Sequence, residues 1–136
     1  TKAKDAVDRL REEGWSIGLL RPLLFRPFPA ALVRLHLTGK KGLAVIDQNL
    51  SMGSGGILAM ELARTLYGVP GAPPILASFI GGLGGREISA AEFYEIAERT
   101  RQAVAAGKAP EPRLLYTDEE LREVRKLQAV AQAIHK

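Results

Sequence analysis

"GLAVIDQNLSMGSGGILAMELARTLYG" runs from Gly42 to Gly68, and its reading decides the fold. "GLAVID" is a short, continuous apolar run that ends in an acid. Bounded by glycine, it suits a strand buried on both faces of a parallel sheet. "ILAMELARTLYG" is amphipathic and is stopped by Gly68 and Pro70, which predicts a helix over about 55–67. Between them lies a turn built from Gly53, Ser54, Gly55 and Gly56. Many open α/β proteins hold a phosphate or a cofactor at such a turn.

Working outward, the same alternation recurs. "PILASFI" (74–80) reads as a second buried strand and "GGLGGRE" as a second glycine-rich turn. Ser89 and Glu92 form a capping box for a helix to about Ala106, with Ile88 and Phe93 as the hydrophobic staple. On the N-terminal side, 2–13 reads as a helix with Ala3, Val7 and Leu10 on one stripe. "WSIGLLRPL" reads as a strand ending near Pro22, "FRPFP" as a stiff connector, and 30–37 as a short helix. After the linker "KAPEPR", "LLY" reads as a brief strand. Thr117 and Glu120 then repeat the capping box, with Tyr116 and Leu121 as staple. Leu121, Val124, Leu127, Ala131 and Ile134 line one side of the last helix. Helices alternating with strands predict a three-layer αβα domain on a mostly parallel open sheet. One domain spans 1–136, with an α/β core over about 1–107 and a C-terminal helix over 117–136. Both glycine turns follow strands, so both belong at the carboxyl edge of the sheet.

Composition excludes several chemistries. The chain has 136 residues, 46% apolar and 25% charged, which suits one domain with a real core. It has no cysteine, which rules out disulfides, thiol catalysis and iron–sulfur ligation within this chain. Two histidines, His36 and His135, are too few for a histidine metal site, so no metal site is expected. No apolar run reaches membrane-spanning length, and the N-terminus lacks a signal-peptide core, so the cytoplasm is the expected location. The net charge of +4 with only 6% aromatic residues reads as solvated helix faces, with no nucleic acid as partner.

The turns fail the phosphate fingerprints. No Gly-Lys-Ser/Thr follows the first, and Leu58 holds the third glycine position of a dinucleotide loop; in the second turn Glu87 holds it. Two readings of the first turn remain. Backbone N–H groups of Gly55 and Gly56 point at an anion beside a helix N-terminus, or the glycines serve positive φ and close backbone approach. On the second reading Gly55→Val costs a few kcal/mol. Arg26, Asp47 and Arg86 each sit in or beside a turn at the same edge. They are expected to converge as an ion-pair network or to face a partner, and on the latter reading Arg86→Ala weakens assembly more than the isolated fold. No catalytic constellation is visible.

Three segments together carry a resemblance: "GLLRPLLFRPFP" (18–29), "AVIDQNLSMGSGGILAMEL" (44–62) and "FIGGLGGREIS" (79–89). They resemble the transketolase C-terminal-like domain of the 2-oxoacid:ferredoxin oxidoreductases, the pyruvate enzyme above all. That family has an "LFRPFP"-like segment, a "DRN-S-G--G" turn and a "GLGGRD" turn in this order, and the likeness spans about residues 3–100. Gln48 stands where the family often has Arg, and Glu87 replaces an Asp. The family domain also begins with a strand ahead of its first helix, so one strand is missing here or the sequence is a fragment.

The resemblance implies a transketolase C-terminal-domain-like fold and a non-catalytic assembly role. The full family enzyme decarboxylates a 2-oxoacid oxidatively to an acyl-CoA (pyruvate to acetyl-CoA and CO2) and reduces ferredoxin. Thiamine diphosphate, magnesium, iron–sulfur clusters and CoA are then expected on other domains or subunits, with those subunits, and ferredoxin through the complex, as partners. The alternative is a free-standing α/β module that takes an anionic ligand, such as a nucleotide or a CoA phosphate, at Gly53–Gly56.

Overall fold

A three-stranded parallel sheet forms the centre, in the order β1 (Leu43–Asp47), β2 (Leu76–Ile80) and β3 (Arg113–Leu114). The structure is a computed structural model and describes residues 1–51, 54–116 and 118–134. Leu43 pairs with Leu76 and Asp47 with Ile80, so β1 and β2 end level at the carboxyl edge. Among the described residues, five helices surround or follow the sheet: α1 (Lys2–Glu12), α2 (Ala30–Leu37), α3 (Ile57–Leu66), α4 (Ala90–Ala106) and α5 (Asp118–Ile134).

The unbroken apolar character of β1 and β2 follows from burial on both faces. Strand side chains alternate. Leu43, Val45 and Leu76 join Val33 and Leu37 of α2 and Ala59, Leu62 and Leu66 of α3 in one core. Ala44, Ile46, Ala77 and Phe79 join Ile88, Phe93 and Ile96 around α4 in the other. Helix α1 packs beside α4 and buries Ala6 and Leu10. The αβα layering and the parallel sheet are as the sequence implies.

The expected strand at "WSIGLLRPL" does not form: residues 15–22 are irregular, and among the described residues β1 has a strand partner on one side only. The reason lies in the pattern. Leu19, Leu20, Leu23 and Leu24 come in adjacent pairs, which no strand can place on one face, and Pro22 removes a donor. The segment instead carries the chain from the α1/α4 layer to the α2/α3 layer. Ile17 and Leu19 line an apolar hollow with Ala44, Ile46 and Phe93, while Phe28 packs on the α2/α3 core. The Arg26–Pro27 peptide bond is cis.

The capping box is present. Glu92 N–H donates to Ser89 Oγ (3.3 Å), and Ser89 N–H donates to Glu92 Oε2 (2.8 Å). The staple residues Ile88 and Phe93 meet in the α4 core. The second box falls on Thr117, outside the described residues, as do Gly53, Met52, His135 and Lys136. The side chains assigned to the apolar stripe of α5 also lie outside the described set.

Candidate functional site

Helix α3 begins at the carboxyl edge of β1 without a local side-chain cap, because its N-cap residue is Gly56. Its first N–H groups still need acceptors, and three come from β1 and the loop after it. Asp47 Oδ1 accepts from Leu58 N–H at 2.8 Å, and Oδ2 accepts from Ala59 N–H at 3.1 Å. Asn49 Oδ1 accepts from Ile57 N–H at 3.0 Å. The Asp47 carboxylate is 3% exposed, so it sits on the positive end of the helix dipole as a built-in anion.

The two described glycines of the turn serve different needs. Gly56 has an ordinary φ of −80°, but a Cβ there would lie 2.0 Å from Asp47 Oδ2 and 2.3 Å from its Cγ. Gly55 has φ +83° and open surroundings, with Pro112 Cβ 4.0 Å from its would-be Cβ. The Gly55 N–H donates to Ser51 O (3.0 Å) and its carbonyl accepts from Ser51 N–H (2.8 Å), while Ser54 N–H also donates to Ser51 O. Of the two readings of Gly55, the described bonds favour the conformational one: its N–H is taken by Ser51 O, and the helix terminus behind it already holds a carboxylate. The close-approach reading holds at Gly56 and the positive-φ reading at Gly55. The anion-binding module at Gly53–Gly56 finds no support.

The second glycine turn reaches the first through Gln48, whose Nε2 lies 3.2 Å from where a Cβ on Gly82 would stand. A short 3-10 turn (Leu83–Gly85) then delivers Arg86. Arg86 Nη2 pairs with Glu92 Oε1 (2.7 Å) and its Nε with Glu120 Oε1 of α5 (2.7 Å). The Glu92 hydrogen bond foremost, against the opposing effect of burial, raises the Arg86 pKa above its usual value, with Glu120 adding to it. Burial pushes the Glu92 carboxyl up, yet the Ser89 N–H, Arg86 and the Ser89 hydroxyl outweigh it and hold it below the usual carboxylate range. Among the described residues, Arg86 Nη1 is buried with no hydrogen-bond partner.

Arg26, Asp47 and Arg86 do not converge. Arg26 pairs with Glu61 Oε1 of α3 (2.6 Å), stacks on the Phe25 ring (4.3 Å) and donates to Phe25 O. Glu61 Oε2 takes Arg64 at 3.0 Å. The Arg64 hydrogen bond foremost holds Glu61 below the usual carboxylate range; desolvation opposes it and Arg26 reinforces it. The three charges thus serve three separate internal tasks. Sequence reading missed Asn49, Glu61 and the pairing of Glu92 and Glu120 with Arg86. The signal for the first was available: a helix that starts on glycine with no Ser, Thr or Asp beside it must borrow its caps from elsewhere.

Among the described residues, no group of three or more His, Cys, Asp or Glu side chains is placed to hold a metal ion. No described helix is long and apolar enough to cross a membrane.

These features define an α/β domain whose ligand-type helix terminus is filled by its own side chains. Residues 1–93 match the family model described as pyruvate:ferredoxin oxidoreductase core domain II, and the chain belongs to that family. Ketoisovalerate oxidoreductase subunit VorA of Pyrococcus horikoshii is 41% identical over 105 residues, which is 77% of this chain and 26% of that subunit. Pyruvate synthase subunit PorA of Thermotoga maritima is 42% identical over 85 residues, 62% of this chain and 21% of that subunit. PorA of Methanothermobacter thermautotrophicus is 35% identical over 102 residues, 71% of this chain and 24% of that subunit. The chain therefore spans about a quarter of the length of the curated relatives it matches.

Proposed function

We propose that this chain is an architectural domain of a 2-oxoacid:ferredoxin oxidoreductase, and that it contributes assembly to the complex while the chemistry resides on other domains or subunits. The whole complex would convert a 2-oxoacid such as pyruvate to the acyl-CoA and CO2 and pass electrons to ferredoxin, in the cytoplasm. Thiamine diphosphate with magnesium, the iron–sulfur clusters and CoA would bind outside this chain. Its residues do not fit the clusters, because it has no cysteine to ligate iron.

The observation that carries the reading is the closed α3 terminus. Asp47 and Asn49 take the N–H groups that an α/β fold of this kind offers to a phosphate. The test is purification of the native assembly through a tag on this chain, with its subunits read by intact mass. Oxoacid-dependent dye reduction is expected from the assembly alone. A lone chain that reduces the dye, or that binds ATP, CoA or thiamine diphosphate at micromolar concentration by calorimetry, would refute the proposal.

A further inference from the structure

Residues 18–27 are all exposed, yet they hold Leu19, Leu20, Leu23, Leu24 and Phe25. Leu23 is 92% exposed. A monomer gains nothing by spreading five large apolar side chains along one strap, and contiguous apolar surface of this kind marks a contact. The strap is fixed at both ends. Arg11 Nε donates to Ile17 O at 2.8 Å, Leu19 borders the hollow beside β1, and the Phe25 ring meets Phe28 edge-on at 5.9 Å. Its shape therefore exists before any partner arrives, which lowers the ordering cost of binding.

Two further observations give the partner its chemistry. No Asp or Glu occurs between Glu13 and Asp47, a stretch that carries Arg21, Arg26, Arg34, Lys40 and Lys41. Among the described ion pairs, the acid that meets the strap is Glu61, and it is shared between Arg26 and Arg64, which leaves the strap cationic. In addition, no backbone N–H of residues 18–27 reaches a main-chain acceptor among the described residues. Hydrocarbon would leave those groups unsatisfied, so a lipid surface suits the strap poorly. A protein surface supplies acceptors.

We propose that the strap Leu19–Phe25 docks onto an apolar protein surface edged by carboxylates, located in the part of the oxidoreductase outside this chain. The inference rests on the functional reading above. It is tested in the native assembly recovered through a tag on this chain. The double substitution Leu23→Asp/Leu24→Asp should cut recovered complex at least about tenfold, the effect of losing one well-buried leucine. The unfolding midpoint of the chain should not move, because both side chains are exposed. Arg21→Glu should slow association about tenfold and reverse its salt dependence. A photoreactive phenylalanine analogue at position 24 should crosslink to an oxidoreductase peptide bearing Asp or Glu. Unchanged recovery of the double variant overturns the inference and leaves the functional reading standing. So does a crosslink to a peptide without acids, or strap-dependent binding to phosphatidylglycerol vesicles. An unmodified chain that assembles with no oxidoreductase subunit overturns both.

Discussion

Gly55 and Gly56 stand side by side, and the structure assigns them opposite vulnerabilities. Alanine at Gly56 has an acceptable backbone but no room: its Cβ would stand 2.0 Å from Asp47 Oδ2 and 2.6 Å from Asp47 Cβ. The carboxylate must leave. It then gives up its bonds to Leu58 N–H and Ala59 N–H, each charge-assisted and worth about 1.5–3 kcal/mol. A loss of about 3–6 kcal/mol follows, a large share of the ~5–15 kcal/mol that holds a domain together. Alanine at Gly55 has room, with nothing nearer than 4.0 Å, but the wrong φ of +83°. Holding an L-residue in the left-handed region costs roughly 1–2 kcal/mol. Urea unfolding of the two single variants separates the effects, and Asp47→Ala supplies the third arm. Gly56→Ala and Asp47→Ala act on the same two bonds, so the double variant should lose less than the sum of the singles. A Gly56→Ala protein as stable as Gly55→Ala, or strict additivity with Asp47→Ala, would refute the assignment of Gly56 as the seat of the carboxylate.

Removal of the α4 cap by Ser89→Ala should cost about 1 kcal/mol in urea unfolding. Glu92 has a depressed carboxyl pKa in the fold, so its contribution is complete above the ordinary glutamate value near ~4.3 and fades as pH falls through the lower folded value. Acid titration of stability should show that loss, and Glu92→Gln should flatten it. Arg86→Ala should destabilise the isolated chain by about 2 kcal/mol, the scale of a charge-assisted hydrogen bond, because Glu92 and Glu120 would lose their shared cation. Arg26→Ala should shift it by less than about 1 kcal/mol, because the Arg26 side chain is 58% exposed in its pair with Glu61; thermal melts of the two variants side by side give the ranking.

The layers, both long strands and the α4 cap were legible because each is written locally. Short apolar runs bounded by glycine, after Gly42 for β1 and before Gly81 for β2, have few alternatives to a buried strand, and Ser89 with Glu92 states its geometry in four residues. The site was legible only in part. Asp47 was visible as a charge at the right edge, but its partners Leu58 and Ala59 lie eleven and twelve residues on, and their role is played by main-chain N–H groups that no side-chain pattern reveals. Arg86 joins Glu120 across a separation that only the folded chain closes. The segment at 15–22 misled for a different reason: its apolar content resembles that of a strand, while its paired leucines and Pro22 fit none.

Misreading of that segment and self-closure of α3 have one physical root. An open α/β sheet offers two places for outside contact: the helix termini at its carboxyl edge, which suit anions, and its lateral margin, which suits apolar chain. Here the first is occupied by Asp47, buried to 3% exposure. A phosphate arriving there would meet a like charge and N–H groups already bonded, so binding would require loss of the same interactions that join β1 to α3. The second is left unfinished. The strap beside β1 keeps its leucines and its main-chain donors toward solvent, although nothing in its local chemistry prevents a different sequence from covering them. On the proposed reading, a domain that seals its ligand edge and exposes its margin would be held by other polypeptide. In that arrangement a stability defect at Gly56 and an assembly defect at Leu23 are separable, because the two lie on different sides of the same strand's function.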